Sequence, residues 1–229
     1  MPKICVSLAP SSSNDLLVLL HKVNKKAANF VEIRFDYLHS GEIQKVLTEK
    51  VLREVRNRAI FTLRPNSEGG YFVDDSLERA KVLKILGLAY PMLLDVEFNL
   101  LKENSELTAF FRQNKIPVMV SWHNLLRTPA VPFLLAKIYK MQKYSNVIKV
   151  VTKANKVQDA INILSIYDII KNTTLIAFAM GELGVLSRVL CTVYGNAPFT
   201  YASLNKSTAP GQINIETIRK LYEGLYRKL

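Results

Sequence analysis

Short apolar, β-branched runs alternate along this chain with longer stretches whose apolar positions fall at i, i+3 and i+4. These two periods predict strands and helices in regular succession. Strands are expected near Lys3–Ala9, Phe30–Asp36, Ala59–Arg64, Met92–Phe98, Ile116–His123, Asn146–Thr152, Thr174–Met180 and Phe199–Leu204. Between them, Leu16-Leu17, Leu19-Leu20 and Val23 make one apolar helix face, and Ile161, Leu164, Tyr167-Asp168 and Ile169 another. A last amphipathic helix follows Asn214, an N-cap residue type, with Ile215, Ile218, Leu221 and Leu225 on one face. Eight strand–helix units with short connections and no Pro/Gly/Ser-rich linker predict an α/β fold. The expected architecture is a single (β/α)8 TIM barrel, one catalytic domain over residues 1–229, slightly under the typical ~250 residues. An open doubly wound sheet is the alternative, but no GxGxxG follows the first strand.

Composition narrows the class. At 229 residues and 49% hydrophobic, the chain can bury a large core. Asp15 and the turn Pro10-Ser11-Ser12-Ser13-Asn14 interrupt the early apolar stretches, so no signal peptide is expected, and no run is long enough to span a bilayer. Cys5 and Cys191 lack metal-ligand or CxxC spacing and lie in apolar surroundings, which predicts reduced, buried thiols in a cytoplasmic protein. His21, His39 and His123 are too scattered for a zinc site. The net charge of +12 permits nucleic-acid binding, yet the basic residues form no dense run interleaved with aromatics. A basic surface equally draws in a small anion, and a partner nucleic acid or membrane is not expected.

The chemistry gathers at the expected carboxyl ends of the strands, where barrels of this kind carry their sites. Lys149 stands inside Val147-Ile148-Lys149-Val150-Val151, a run apolar enough to be buried on both faces. Burial disfavours an ammonium, and a neutral amine is a nucleophile toward ketones and aldehydes. The plain alternative is a lysine that snorkels outward or pairs with a buried carboxylate. Residues two apart share a strand face, and that parity aims Ser7, Glu32, Arg34, Asp36, Arg64, Asp95, Glu97, Ser121, His123 and Lys149 at one mouth. A purely structural interior would be filled with Val, Ile and Leu. An ion-pair network is an equally good account of Asp36 and Glu97; His123 beside Lys149 on the next strand favours chemistry. Glu68-Gly69-Gly70 lies in a loop whose glycine pair lets backbone fold over a pocket. Met180-Gly181 leads into a helix carrying Arg188 near its positive end, a place suited to an anion. Ser207-Thr208-Ala209-Pro210-Gly211-Gln212 is rich in turn formers and long enough for a lid.

In order along the chain, Glu32-x-Arg34-x-Asp36, Phe61-Thr62-Leu63-Arg64 with Glu68-Gly69-Gly70, Asp95-Val96-Glu97, Ser121-x-His123, Lys149, Met180-Gly181 through Ser187-Arg188, and Ala209-Pro210-Gly211-Gln212 form a set. Together they resemble the type I 3-dehydroquinate dehydratases, Schiff-base enzymes of the shikimate pathway, over nearly the whole chain. Asn124 stands where an aspartate is common, Phe178 where a methionine is frequent, and Thr208 in place of a lid serine. These departures bear on the lid and affinity rather than on reaction type.

The resemblance implies dehydration of 3-dehydroquinate to 3-dehydroshikimate with no metal or organic cofactor. Lys149 would form the imine, His123 would act as general acid and base, and Glu68 would orient the histidine. Arg188 would clamp the substrate carboxylate, with Thr208 and Gln212 closing over that end. Glu32 and Arg64 would meet ring hydroxyls with Arg34 and Ser7 nearby, and Asp95, Met180 and Tyr201 would line the site. It also implies a homodimer, as family members often are. Another Schiff-base lyase of aldolase or transaldolase type is the nearest rival, and the motifs around Arg188 and Gln212 argue against it. A basic barrel that binds nucleic acid without catalysis is the second.

Overall fold

In the computed structural model, which describes residues 1–23, 28–39, 41–73, 75–204 and 208–226, strands and helices alternate as the periodicity predicts. The strands are β1 (Ile4–Leu8), β2 (Phe30–Arg34), β3 (Ala59–Thr62), β4 (Leu93–Glu97), β5 (Val118–Asn124), β6 (Val147–Lys153), β7 (Thr174–Met180) and β8 (Thr200–Ser203). The helices are α1 (Ser13–Lys22), α2 (Glu42–Thr48), α3 (Lys50–Val55), α4 (Ser76–Leu88), α5 (Phe98–Glu103), α6 (Ser105–Gln113), α7 (Val131–Met141), α8 (Val157–Ile169), α9 (Val185–Val193) and α10 (Ile215–Tyr226). The strands form one parallel sheet in the order β7-β6-β5-β4-β3-β2-β1-β8. Its two edges face each other, with Phe178 of β7 and Tyr201 of β8 at 6.2 Å between rings, so the sheet curls into a nearly closed barrel.

The register carries one face of each strand round the barrel. Ser7 pairs with Glu32, Arg34 with Thr62, Thr62 with Asp95, Glu97 with Ser121, and Ser121 with Lys149. Paired residues of a parallel sheet point to the same side, so all these polar groups share the barrel interior. The opposite faces carry Val6, Val31, Ile33, Phe61, Leu94, Val96, Val120, Ile148, Val150 and Ala177, all fully buried. They lie under the surrounding helices, and each large side chain so buried contributes about 1.5–3 kcal/mol. The molecule therefore has an apolar shell between strands and helices and a charged upper interior.

Helix starts follow local chemistry. Ser12 accepts from Asp15 N, Asp75 from Leu77 N and Glu78 N, and Asn104 from Leu107 N, capping α1, α4 and α6. Asn214 Oδ1 accepts from Glu216 N at 2.8 Å, the cap the sequence predicts. Three expectations need correction. β2 stops at Arg34 because Phe35–Tyr37 turn as a 3-10 segment and fold Asp36 back onto Arg34. On α8 the buried row is Ala160, Ile163, Ile166 and Tyr167, while Ile161 and Ile169 are exposed; both faces are apolar, and packing against β7 chose the phase. On α10 Tyr222 is buried with Ile215 and Ile218, leaving Leu221 and Leu225 exposed, because Tyr222 Oη bonds Thr192 of α9.

Candidate active site

Lys149 is buried but not alone. Its Nζ donates to Glu32 Oε1 at 3.3 Å and Asp95 Oδ2 at 3.1 Å, and sits 4.3 Å from the centre of the Tyr201 ring. Of the readings the sequence leaves open for this lysine, pairing with a buried carboxylate is the one found, and it has two such partners. Glu32 also accepts from Ser7 Oγ at 2.6 Å and Thr62 Oγ1 at 3.0 Å. Burial opposes its charge, but Lys149 and Arg34 outweigh that and hold Glu32 below the usual carboxylate range. Asp95 accepts from Ser121 Oγ at 2.5 Å and from Arg64 Nη2 at 2.6 Å; against burial, Arg64 and Lys149 likewise lower it. Arg34 is engaged by Asp36 through Nε and Nη2 at 2.8 and 2.6 Å.

The loop after β3 brings a fourth carboxylate across the mouth. Gly70 lies so close to Arg64 that a Cβ there would stand 2.0 Å from Arg64 O, so the loop folds back only with glycine. The short turn Asn66–Glu68 is thereby held over β5. Glu68 Oε2 lies 2.8 Å from His123 Nδ1 and accepts from His123 backbone N at 3.1 Å. Burial, then the positive charges of Arg64, Lys149 and Arg34, push the imidazole well below its usual value. Burial raises Glu68 to about 7, against the pull of Arg64. A neutral imidazole donating from Nδ1 to an ionised Glu68 keeps a lone pair on Nε2, the form a base requires.

The far wall is built differently. β7 ends at Met180, Gly181 turns with φ of +85°, and α9 begins at Val185, placing Arg188 in its first turns. Arg188 is 2% exposed, and its Nε and Nη2 have no hydrogen-bond partner among the described residues. Its guanidinium carbon lies 4.3 Å from the Phe178 ring centre, and burial lowers it to about 10, still cationic at neutral pH. Tyr201 Oη is also buried without a partner among the described residues. The strap Thr208–Gln212 rests on this wall. A Cβ on Gly211 would stand 2.5 Å from Gly181 O, and Gly181 N donates to Pro210 O at 3.2 Å. Gln212 Oε1 accepts from Thr208 N and Oγ1 at 2.7 and 3.0 Å. Ser207 of the expected lid lies outside the described residues.

Between these walls opens a cavity of about 320 Å³, a size suited to a small polar ring. Of the residues the resemblance assigns to catalysis or substrate, all line it save two: Ser7 and Asp95 lie deeper, where each holds a charged group that reaches the cavity. Ser121, also aimed at the mouth, does not line it. Asp36 and Glu97 act as ion-pair partners, of Arg34 and of Arg64. Sequence reasoning missed Lys153, an exposed cation on the cavity rim, although its spacing of four from Lys149 on one strand face marks it. It also missed Arg79, a buried guanidinium on α4 that pairs with Glu97; no strand parity reaches a helix residue. Asn124 shapes the loop after β5, its Oδ1 accepting from Leu126 N and Arg127 N at 3.1 Å each. Among the described residues no group of three His, Cys, Asp or Glu is placed to hold a metal ion, and no helix is long and apolar enough to cross a membrane.

Comparison with known proteins agrees with this geometry. The sequence pattern of Type I 3-dehydroquinase matches residues 4–228. A 3-dehydroquinate dehydratase of Thermococcus onnurineus is 34% identical over 206 residues, covering 89% of this chain and 91% of the relative. One from Dehalococcoides mccartyi is 33% identical over 205 residues, covering 87% of each. The crystal structure of the 3-dehydroquinate dehydratase from Geobacillus kaustophilus superposes with a TM-score of 0.88 at 25% identity, covering 99% of this chain and 92% of that one.

Proposed function

Since this chain belongs to the type I 3-dehydroquinase family and is a 3-dehydroquinate dehydratase, a hydro-lyase of the shikimate pathway, we propose that it works through an imine on Lys149. The observation that carries this reading is the position of Lys149 Nζ. It lies on the cavity between two carboxylates, on the same interior face as an imidazole held by Glu68. The amine, having passed a proton to its surroundings, adds to the substrate ketone, and loss of water gives a protonated imine. That cation withdraws electrons from the neighbouring C–H bond. His123 Nε2 takes the proton, the electron pair becomes an enamine, and the β-hydroxyl leaves with a proton returned by the same imidazole. Water then releases the enone and restores the lysine.

Arg188 takes the substrate carboxylate in this reading, because a carboxylate supplies the acceptors its buried Nε and Nη2 lack. Thr208 and Gln212 of the strap cover that end, Met180 and Tyr201 line it, and Glu32, Arg34 and Arg64 face the ring hydroxyls. Asp95 and Ser7 act from beneath. The strap excludes water that would hydrolyse the imine early. The whole chain acts as one catalytic domain in the cytoplasm, as a homodimer, without nucleic acid or membrane. The buried, unpaired Cys5 and Cys191 support a reducing compartment, and light scattering would test the dimer.

Incubation with 3-dehydroquinate should give the absorbance of a conjugated enone, and borohydride should fix substrate mass to one peptide containing Lys149. A trapped adduct on any other residue, or none during turnover, would reject the imine.

A further inference from the structure

The lysine and the histidine are wired together through a single guanidinium. Arg64 Nη2 donates to Asp95, which holds Lys149, while Nη1 donates to Glu97 at 2.6 Å and lies 3.7 Å from Glu68, which holds His123. One positive charge thus faces three buried carboxylates. Glu97 is 2% exposed, and its other oxygen, Oε2, is paired with Arg79 Nη2. Arg79 projects from α4, outside the ring of strands, and is 5% exposed. Its Nε donates to Leu63 O at 3.2 Å, the carbonyl just before Arg64. It does not line the cavity. A guanidinium is held under a helix only when ion pairs and hydrogen bonds offset its lost hydration, a requirement that leucine or methionine in the same place would not have.

We propose that Arg79 is a positioning residue for the dehydration: it balances Glu97 from behind, so that Arg64 stays shared between Asp95 and Glu68 and keeps amine and imidazole in working order. The proposal rests on the reading that Lys149 and His123 carry the chemistry. Without Arg79, the unbalanced Glu97 draws Arg64 toward itself and away from Glu68 and Asp95. The first consequence falls on the Glu68–His123 pair. Glu68 faces Arg64 from the end of β3, Asp95 of β4, His123 of β5, Arg79 of α4 and Lys137 of α7. Two of these cations weaken together when Arg79 is lost, so Glu68 holds a proton to higher pH.

The test compares Arg79→Met, Arg79→Lys and the double variant Arg79→Met with Glu97→Gln in the full chain. Arg79→Met should still trap substrate with borohydride and keep KM within about threefold. Its kcat should fall roughly 10–10²-fold, the scale on which small misplacements act, and the acid limb of kcat should move to higher pH. Adding Glu97→Gln removes the orphaned charge and should bring the limb back toward its original place; Arg79→Lys should restore part of kcat. If Arg79→Met does not fold, the double variant and Arg79→Lys decide the matter by the same limb. An unchanged rate and pH profile with a normal trapped imine would overturn the proposal alone. So would a fall in kcat shared by all variants with the limb unmoved, since that is the mark of general destabilisation. Failure to trap any imine in the unsubstituted protein would instead remove the Lys149 reading on which it rests.

Discussion

The two walls of the cavity obey opposite rules. On the side of β1 to β6, every buried charge reaching the site is answered: Lys149 by Glu32 and Asp95, Arg64 by Asp95 and Glu97, Arg34 by Asp36, His123 by Glu68. On the side of β7 to β8, Arg188 is buried with two donors unanswered among the described residues, and Tyr201 has a hydroxyl in the same condition. Proton-handling groups must be held at fixed distances before substrate arrives, which the paired wall achieves. An anion-binding group must keep its donors open, because each internal partner would have to be displaced by the substrate. In the proposed reading the paired wall serves turnover, and the open wall serves affinity at a cost in stability.

The comparison breaks most completely at Lys149. Lys149→Ala should abolish turnover and leave nothing for borohydride to trap; normal activity would end the covalent account. His123→Ala should come next, retaining the imine while kcat falls about 10²–10⁴-fold. Its partner sets a pH signature. Glu68 is raised to about 7 by burial, so it takes up a proton as pH falls through that value and ceases to accept from Nδ1–H. The coupled pair should then give kcat an acid limb near pH 7, which Glu68→Gln would remove while lowering the plateau. A limb surviving that substitution would place the titration elsewhere. Arg188→Met sharpens the contrast between walls. Substrate affinity should fall roughly 10–10²-fold, the worth of a lost charge-assisted pair, while Tm of the free protein rises by about 2–4 °C as an unanswered cation leaves the core. A lowered Tm would mean Arg188 is structural. Lys153→Met should matter least, raising KM about two- to fivefold at low salt and not at all at high salt, as befits an exposed rim charge.

Much of the barrel was legible because its causes are local. Apolar periodicity located every strand within a few residues, and period-two parity correctly grouped Ser7, Glu32, Arg64, Asp95, His123 and Lys149 on one face. Where both phases of a helix were apolar, as on α8 and α10, the pattern had no way to choose, and contact with β7 and α9 chose. Parity also could not rank depth. Ser7 and Asp95 are level in the register with Glu32 and Thr62, which line the cavity, yet do not line it themselves, because Ser7 is bonded beneath the Glu32 carboxylate and Asp95 beneath Arg64 and Lys149.

Residue types and their spacing were enough to determine a parallel barrel and which polar side chains share its interior face, since both follow from short-range periodicity. Which charges neutralise one another was decided in three dimensions. Arg79 meets Glu97 across a helix–strand contact, Arg64 mediates between Lys149 and His123, and Arg188 is left without an internal acceptor. Coulomb pairing at ~3 Å depends on where chain segments far apart in sequence finally come to rest, and no pattern along the chain encodes that distance.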